Sequence, residues 1–170
     1  LNISGPTLPL TQVSGGTGSD LVTVSNLPAS AVQAIISLGT GDDRVTVLDT
    51  QRALNVRGGN DGSNGDELII DRSTDIVSRG GALSATQITG LGLSTINYDS
   101  FSKLTIRLGL GFDQFTIQNT SATTDTTIEG GGGDDTVKIQ HVSGETIVNG
   151  NAGFDTATVL IPGNPNQVAL

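Results

Sequence analysis

One pattern recurs six times along this chain: an apolar residue, a spacer, a glycine-rich turn, an aspartate, and then, after one more spacer, two apolar residues with a single residue between them. It runs Val13-Ser-Gly-Gly-Thr-Gly-Ser-Asp20-Leu-Val22-Thr-Val24, then Ile36-Ser-Leu-Gly-Thr-Gly-Asp-Asp43-Arg-Val45-Thr-Val47. A third copy, from Val56, has a longer turn that reaches Asp66 and Leu68. The last three carry Asp113 with Phe115 and Ile117, Asp135 with Val137 and Ile139, and Asp155 with Ala157 and Val159. The aligned aspartates stand 23 (20 to 43), 23 (43 to 66), 47 (66 to 113), 22 (113 to 135) and 20 (135 to 155) residues apart. A unit this short cannot bury its apolar residues alone, so the units must stack, each covering the next.

The alternation after each aspartate is a strand signal, because successive side chains of a strand point to opposite faces. Stacked strands joined by tight turns make a parallel β-solenoid, and the expectation is an all-β chain of about 22 residues per coil in seven or eight coils. The interval of 47 reads as two coils, one of which, around Ala82 to Leu93, has lost its acidic turn. Thr23, Thr46, Thr116, Lys138 and Thr158 then form one outward column. Glycine supplies positive φ at the corners and lets neighbouring corners approach. Pro6, Pro9, Pro28, Pro162 and Pro165 all lie outside the pattern, as ladder-bonded strands require. The expected organisation is an extended segment over 1–12, a solenoid over 13–160 and a second extended segment over 161–170.

Composition agrees with a thin core. There are 24 glycines, 3% aromatic residues and neither Cys, Met nor Trp, so the interior must be filled by small aliphatic side chains. No disulfide or thiolate metal site exists without cysteine. The net charge of −9, with eight Lys and Arg spread through the chain, argues against nucleic acid and anionic membranes as partners. No apolar run approaches membrane-spanning length. The chain reads as a processed form or an excised piece of a longer protein.

The acidic turns resemble the RTX nonapeptide, Gly-Gly-any-Gly-any-Asp-any-apolar-any, a calcium-binding parallel β-roll repeat. Gly15-Gly-Thr-Gly-Ser-Asp20 and Gly130-Gly-Gly-Gly-Asp-Asp135 match its first six positions, and the other turns match in part. The stretch from Gly81-Ala-Leu-Ser-Ala-Thr-Gln-Ile through Ile96-Asn-Tyr98 to Leu104-Thr-Ile-Arg-Leu-Gly is similar to strand-repeat arrays of very large bacterial surface proteins. The resemblance implies an extracellular, cell-surface or secreted location and Ca²⁺ in the turns. RTX rolls load both edges of each coil, whereas one acidic turn per coil here places ions on a single edge.

Asp20, Asp43 and Asp66 are expected to form one column and Asp113, Asp135 and Asp155 another, with Asp42 and Asp134 beside them. Two carboxylates about 4.8 Å apart repel by about 0.9 kcal/mol in water and about 3.5 kcal/mol at an effective dielectric near 20. At the higher value the column calls for a cation, and Ca²⁺ accepts carboxylate and carbonyl oxygens together. The alternative is that these aspartates accept hydrogen bonds from backbone N–H groups in tight turns.

Catalysis is not expected. His141 is the only histidine and reads as a surface residue, and there is neither a cysteine nor a Ser-His-Asp set for nucleophilic chemistry. The sequence therefore points to a structural module that associates with itself or with neighbouring repeats of the same chain. The competing class is an adhesin module that binds a glycan or protein through Phe112, Phe154 and Tyr98. Ice-binding and polysaccharide-acting solenoids are the remaining classes. Asn2-Ile-Ser4 and Asn119-Thr-Ser121 fit the glycosylation sequon.

Overall fold

The apolar-any-apolar triplets form short strands with one face inward. The computed structural model describes residues 1–3, 12–30 and 32–160, and the expected terminal segments lie largely outside them. The first sheet holds seven parallel strands: β1 (Asn2–Ile3), β3 (Leu21–Val24), β5 (Arg44–Val47), β7 (Glu67–Asp71), β11 (Lys103–Arg107), β13 (Asp125–Glu129) and β15 (Thr146–Asn149). The second holds nine: β2 (Gln12–Thr17), β4 (Ala34–Gly41), β6 (Leu54–Asp61), β8 (Gly80–Leu83), β9 (Gln87–Gly90), β10 (Leu93–Asp99), β12 (Gln114–Ile117), β14 (Thr136–Ile139) and β16 (Thr156–Val159).

The chain alternates between the two sheets and climbs one rung per circuit. This is the expected all-β parallel solenoid, in about six turns roughly 23 residues apart. Seven rungs at the ordinary strand spacing give a rod about 29 Å long. Val24, Val45, Val47, Leu68, Ile70, Leu104, Ile106 and Ile128 from the first sheet meet Ile36, Leu54, Val56, Ile96, Phe115 and Ile117 from the second in a continuous core.

The 47-residue interval is not two coils. After β7 the chain enters the second sheet beside the future β12, turns back as β9, and reaches β6 as β10. Among the described strands, β9 is the only one antiparallel to its neighbours. The turn from β9 to β10 places Gly90, Leu91 and Gly92 all at positive φ. Leu91 tolerates φ 57° because its side chain is buried against Gly81, where a Cβ would stand 2.8 Å from the Leu91 side chain. This excursion absorbs half a coil's worth of chain.

The repeat therefore changes phase. In the first three copies the strand before the aspartate lies in the second sheet and the strand after it in the first. In the last three, β11, β13 and β15 precede the aspartate from the first sheet, and β12, β14 and β16 follow it in the second. The expected outward column splits accordingly. Thr23 and Thr46 continue on the first sheet through Ile69, Thr105, Thr127 and Ile147, while Thr116, Lys138 and Thr158 stand on the second.

Candidate functional site: two columns of corner aspartates

Because of the phase change, the six aspartates occupy two corners, three on each. Asp20, Asp43 and Asp66 stand where the chain passes from the second sheet to the first, here called corner one. Asp113, Asp135 and Asp155 stand where it passes from the first to the second, corner two. The expectation of a single acidic edge is thus corrected, since residue spacing is blind to a hairpin folded within a sheet.

Within each column the aspartates act as struts between rungs. The backbone N–H of Asp20 donates to Asp43 Oδ1 at 2.7 Å, and that of Asp43 to Asp66 Oδ1 at 2.8 Å. At corner two, Asp113 N–H donates to Asp135 Oδ1 at 2.8 Å and Asp135 N–H to Asp155 Oδ1 at 3.0 Å. The carbonyl of each lower aspartate accepts from the residue after the upper one, as in Arg44 N–H to Asp20 and Thr136 N–H to Asp113. A carboxylate thus bridges the corner where the ladder of main-chain bonds would otherwise open.

The second carboxylate oxygen separates the aspartates. Asp113 is satisfied, because Arg79 N–H donates to Oδ1 at 2.6 Å and Gly109 N–H to Oδ2 at 2.8 Å. Asp20, Asp43 and Asp135 each bury an Oδ2 that no donor reaches. Asp43 and Asp135 are each only 2% exposed. Carbonyl oxygens face the same region: a Cβ on Gly15 would overlap Leu38 O and stand 2.5 Å from Asp20 Oδ2, and one on Gly130 would overlap Gly150 O. Glycine opens this first turn position by lacking a side chain. Burial raises the Asp135 pKa to about 6, and Asp113, Asp155 and Asp134 push it in the same direction against the stabilising Asp113 N–H.

Asp42 and Asp134 are outer struts. Asp42 accepts from Asn64 N–H at 2.9 Å, Asn64 Nδ2 at 3.0 Å and Gly65 N–H at 3.2 Å, and the Asn64 N–H bond leads in holding its pKa below the usual carboxylate value. Asp134 Oδ1 accepts from Phe154 N–H at 2.9 Å. These contacts are the turn hydrogen bonds that the alternative reading describes.

The donor chemistry of the inner columns fits a hard cation: buried carboxylate oxygens without donors, beside main-chain carbonyls. Among the described residues, however, no three His, Cys, Asp or Glu side chains gather closely enough to hold a metal ion between them. Carbonyl oxygens would have to supply much of any coordination shell.

One cluster was not foreseen. Between β7 and β8, Asp75 accepts from Arg72 at 2.6 Å, Arg79 at 2.9 Å and Val77 N–H at 3.1 Å. Burial alone would raise its pKa, but these donors, with Arg72 foremost, hold it at about 2. The clamp secures a corner that has no Gly-Asp turn. Its sequence signal, two arginines flanking an aspartate at positions 72, 75 and 79, gains meaning only when the chain reverses there.

Tyr98 leaves the list of recognition candidates. It is 4% exposed, and its hydroxyl donates to Ser84 O at 2.9 Å. Phe112 and Phe154 are exposed, as is His141, whose Nδ1 lies 2.6 Å from Asn119 Oδ1. No protein-family model matches the chain, and no curated protein and no solved structure matches it either.

Proposed function

We propose that the chain is a structural segment of an extracellular surface protein or filament: a stiff β-solenoid that supplies length and is braced by Ca²⁺ at its corner aspartates. The observation that carries this reading is the longitudinal bonding. The backbone N–H groups of Asp20, Asp43, Asp113 and Asp135 each donate to a carboxylate oxygen of the aspartate on the next rung, so the columns resist separation along the rod. The paired sheets and the shared core run in the same direction. Such a design suits tension and spacing rather than turnover.

Asp43 and Asp135 are the residues proposed to meet the ion, through the Oδ2 atoms that lack donors. A bound cation neutralises buried charge and stabilises the folded state by mass action, about 2.7 kcal/mol at a hundredfold excess over Kd. Thermal melting with calcium or with chelator tests this. Calcium should raise the Tm of the parent chain and of Asp42→Asn, whose carboxylate is occupied by N–H donors, but not that of the Asp43→Asn/Asp135→Asn double variant. A parent Tm unmoved by calcium would remove the ion and leave the aspartates as hydrogen-bonded struts.

A further inference from the structure

The two corners are built from the same turn and differ in what they show to solvent. At corner one the outermost positions carry Thr17 and Thr40 on successive rungs, with Ser19 and Asp42 two residues on. At corner two the N–H of Leu110 donates to Asp75 O, Gly132 to Gly109 O and Ala152 to Gly131 O. Ile76, Leu110, Gly132 and Ala152 therefore stack in one file, with Ser78, Phe112, Asp134 and Phe154 in a second. Ile76 is 77% exposed, Leu110 55%, Phe112 63% and Phe154 89%, with Val77 beside them at 49%. The fold does not need these apolar side chains, because polar residues hold the equivalent positions at corner one.

We propose that this ridge is a contact surface for a second copy of the same chain, packed side by side and antiparallel. The inference goes beyond the structural role proposed above and does not depend on calcium. The five residues expose roughly 600 Å², most of it apolar, of the same order as the ~800 Å² per partner of a standard interface. Shape favours a second copy over another occupant. Phe112 and Phe154 are knobs two rungs, about 9.6 Å, apart, and the rung between them carries only Gly132, Gly133 and Asp134. Leu110 and Phe112 lean onto that glycine rung, where Cβ atoms would stand 3.4 Å from Leu110 and 3.1 Å from Phe112. Beside those leaning side chains the rung still lies lower than the two Phe knobs, and a ring from outside seated over it would stand about 5 Å from its neighbours, within the usual spacing of packed aromatic rings. A second copy brings Phe knobs of the same rung period, and a two-fold axis would set each copy's knob over the low rung of the other.

Each copy carries a net charge of −9, so association should strengthen as salt screens the repulsion. Sedimentation equilibrium up to about 1 mM, at low and high salt, should show a monomer–dimer equilibrium with that salt trend. Phe112→Ser with Phe154→Ser should weaken dimerisation at least tenfold without lowering Tm, because both rings are exposed. The cysteine-free chain allows a positional check: Ala152→Cys on the ridge should form a disulfide-linked dimer under mild oxidation, and Thr17→Cys on corner one should not. A parent chain that stays monomeric at high salt would overturn the proposal and assign the ridge to a different partner. A dimer that survives the double Phe substitution, or that crosslinks equally through Thr17→Cys, would place the contact elsewhere.

Discussion

Replacing Asp135 by Asn should stabilise this protein at neutral pH in the presence of chelator. The carboxylate is 2% exposed, its Oδ2 has no donor, and its pKa stands at about 6 against an ordinary 3.8. A rise of roughly two units corresponds to about 3 kcal/mol of penalty for the ionised form. Asn keeps an oxygen for the Asp113 N–H bond, removes the charge, and sets an amide N–H near Gly150 O, which faces the same glycine. The sign follows from linkage: a carboxyl with a raised folded pKa binds its proton more tightly when folded, so acid stabilises the native state. The advantage of Asn should be absent below pH 3.8, grow between 3.8 and about 6, and level off above. At this chain length it amounts to about 6–12 °C in Tm. Thermal unfolding followed by circular dichroism from pH 3.5 to 8, parent beside variant, reads the difference directly. A variant less stable than its parent at pH 7, or a difference that ignores pH, would refute the picture of an uncompensated buried charge.

Asp75 should behave oppositely. Its pKa, lowered to about 2 by the arginine clamp, contributes about 2 kcal/mol that is present above pH 3.8 and lost as pH falls toward 2. Asp75→Asn should lower Tm at pH 7 and have little effect near pH 2. Gly16 and Gly39 separate backbone strain from crowding, since φ is 106° and 109° but only a Cβ on Gly39 overlaps a neighbour, the Gly16 carbonyl. Gly16→Ala should cost about 1–2 kcal/mol. Gly39→Ala should cost at least about 2 kcal/mol more in denaturant titration, and equal losses would show that the corners are free to separate.

The local character of this chain was readable from residue order. Val22-Thr-Val24 and Val45-Thr-Val47 alternate as half-buried strands must, and each short unit requires a neighbour to cover it, so stacking follows. The aspartates of each half were correctly grouped in columns for the same reason. The coil count and the single acidic edge were not, because Gly81 to Leu93 alternates equally well as a parallel rung or as part of a hairpin. Tyr98 looked like a recognition residue until packing placed its ring inside, and the Asp75 clamp was invisible because its three residues sit in a segment without periodicity.

Repetition of short-range chemistry thus dictated strands, corners and the need to stack, since alternation and glycine turns act over a few residues. Three-dimensional packing alone chose the reversal at β8 to β10, and with it the division of six aspartates between opposite corners and the gathering of Ile76, Leu110, Phe112 and Phe154 on one of them. That choice goes with the seating of the Leu91 side chain on the bare backbone of Gly81, a contact between residues whose separation along the chain says nothing about their meeting.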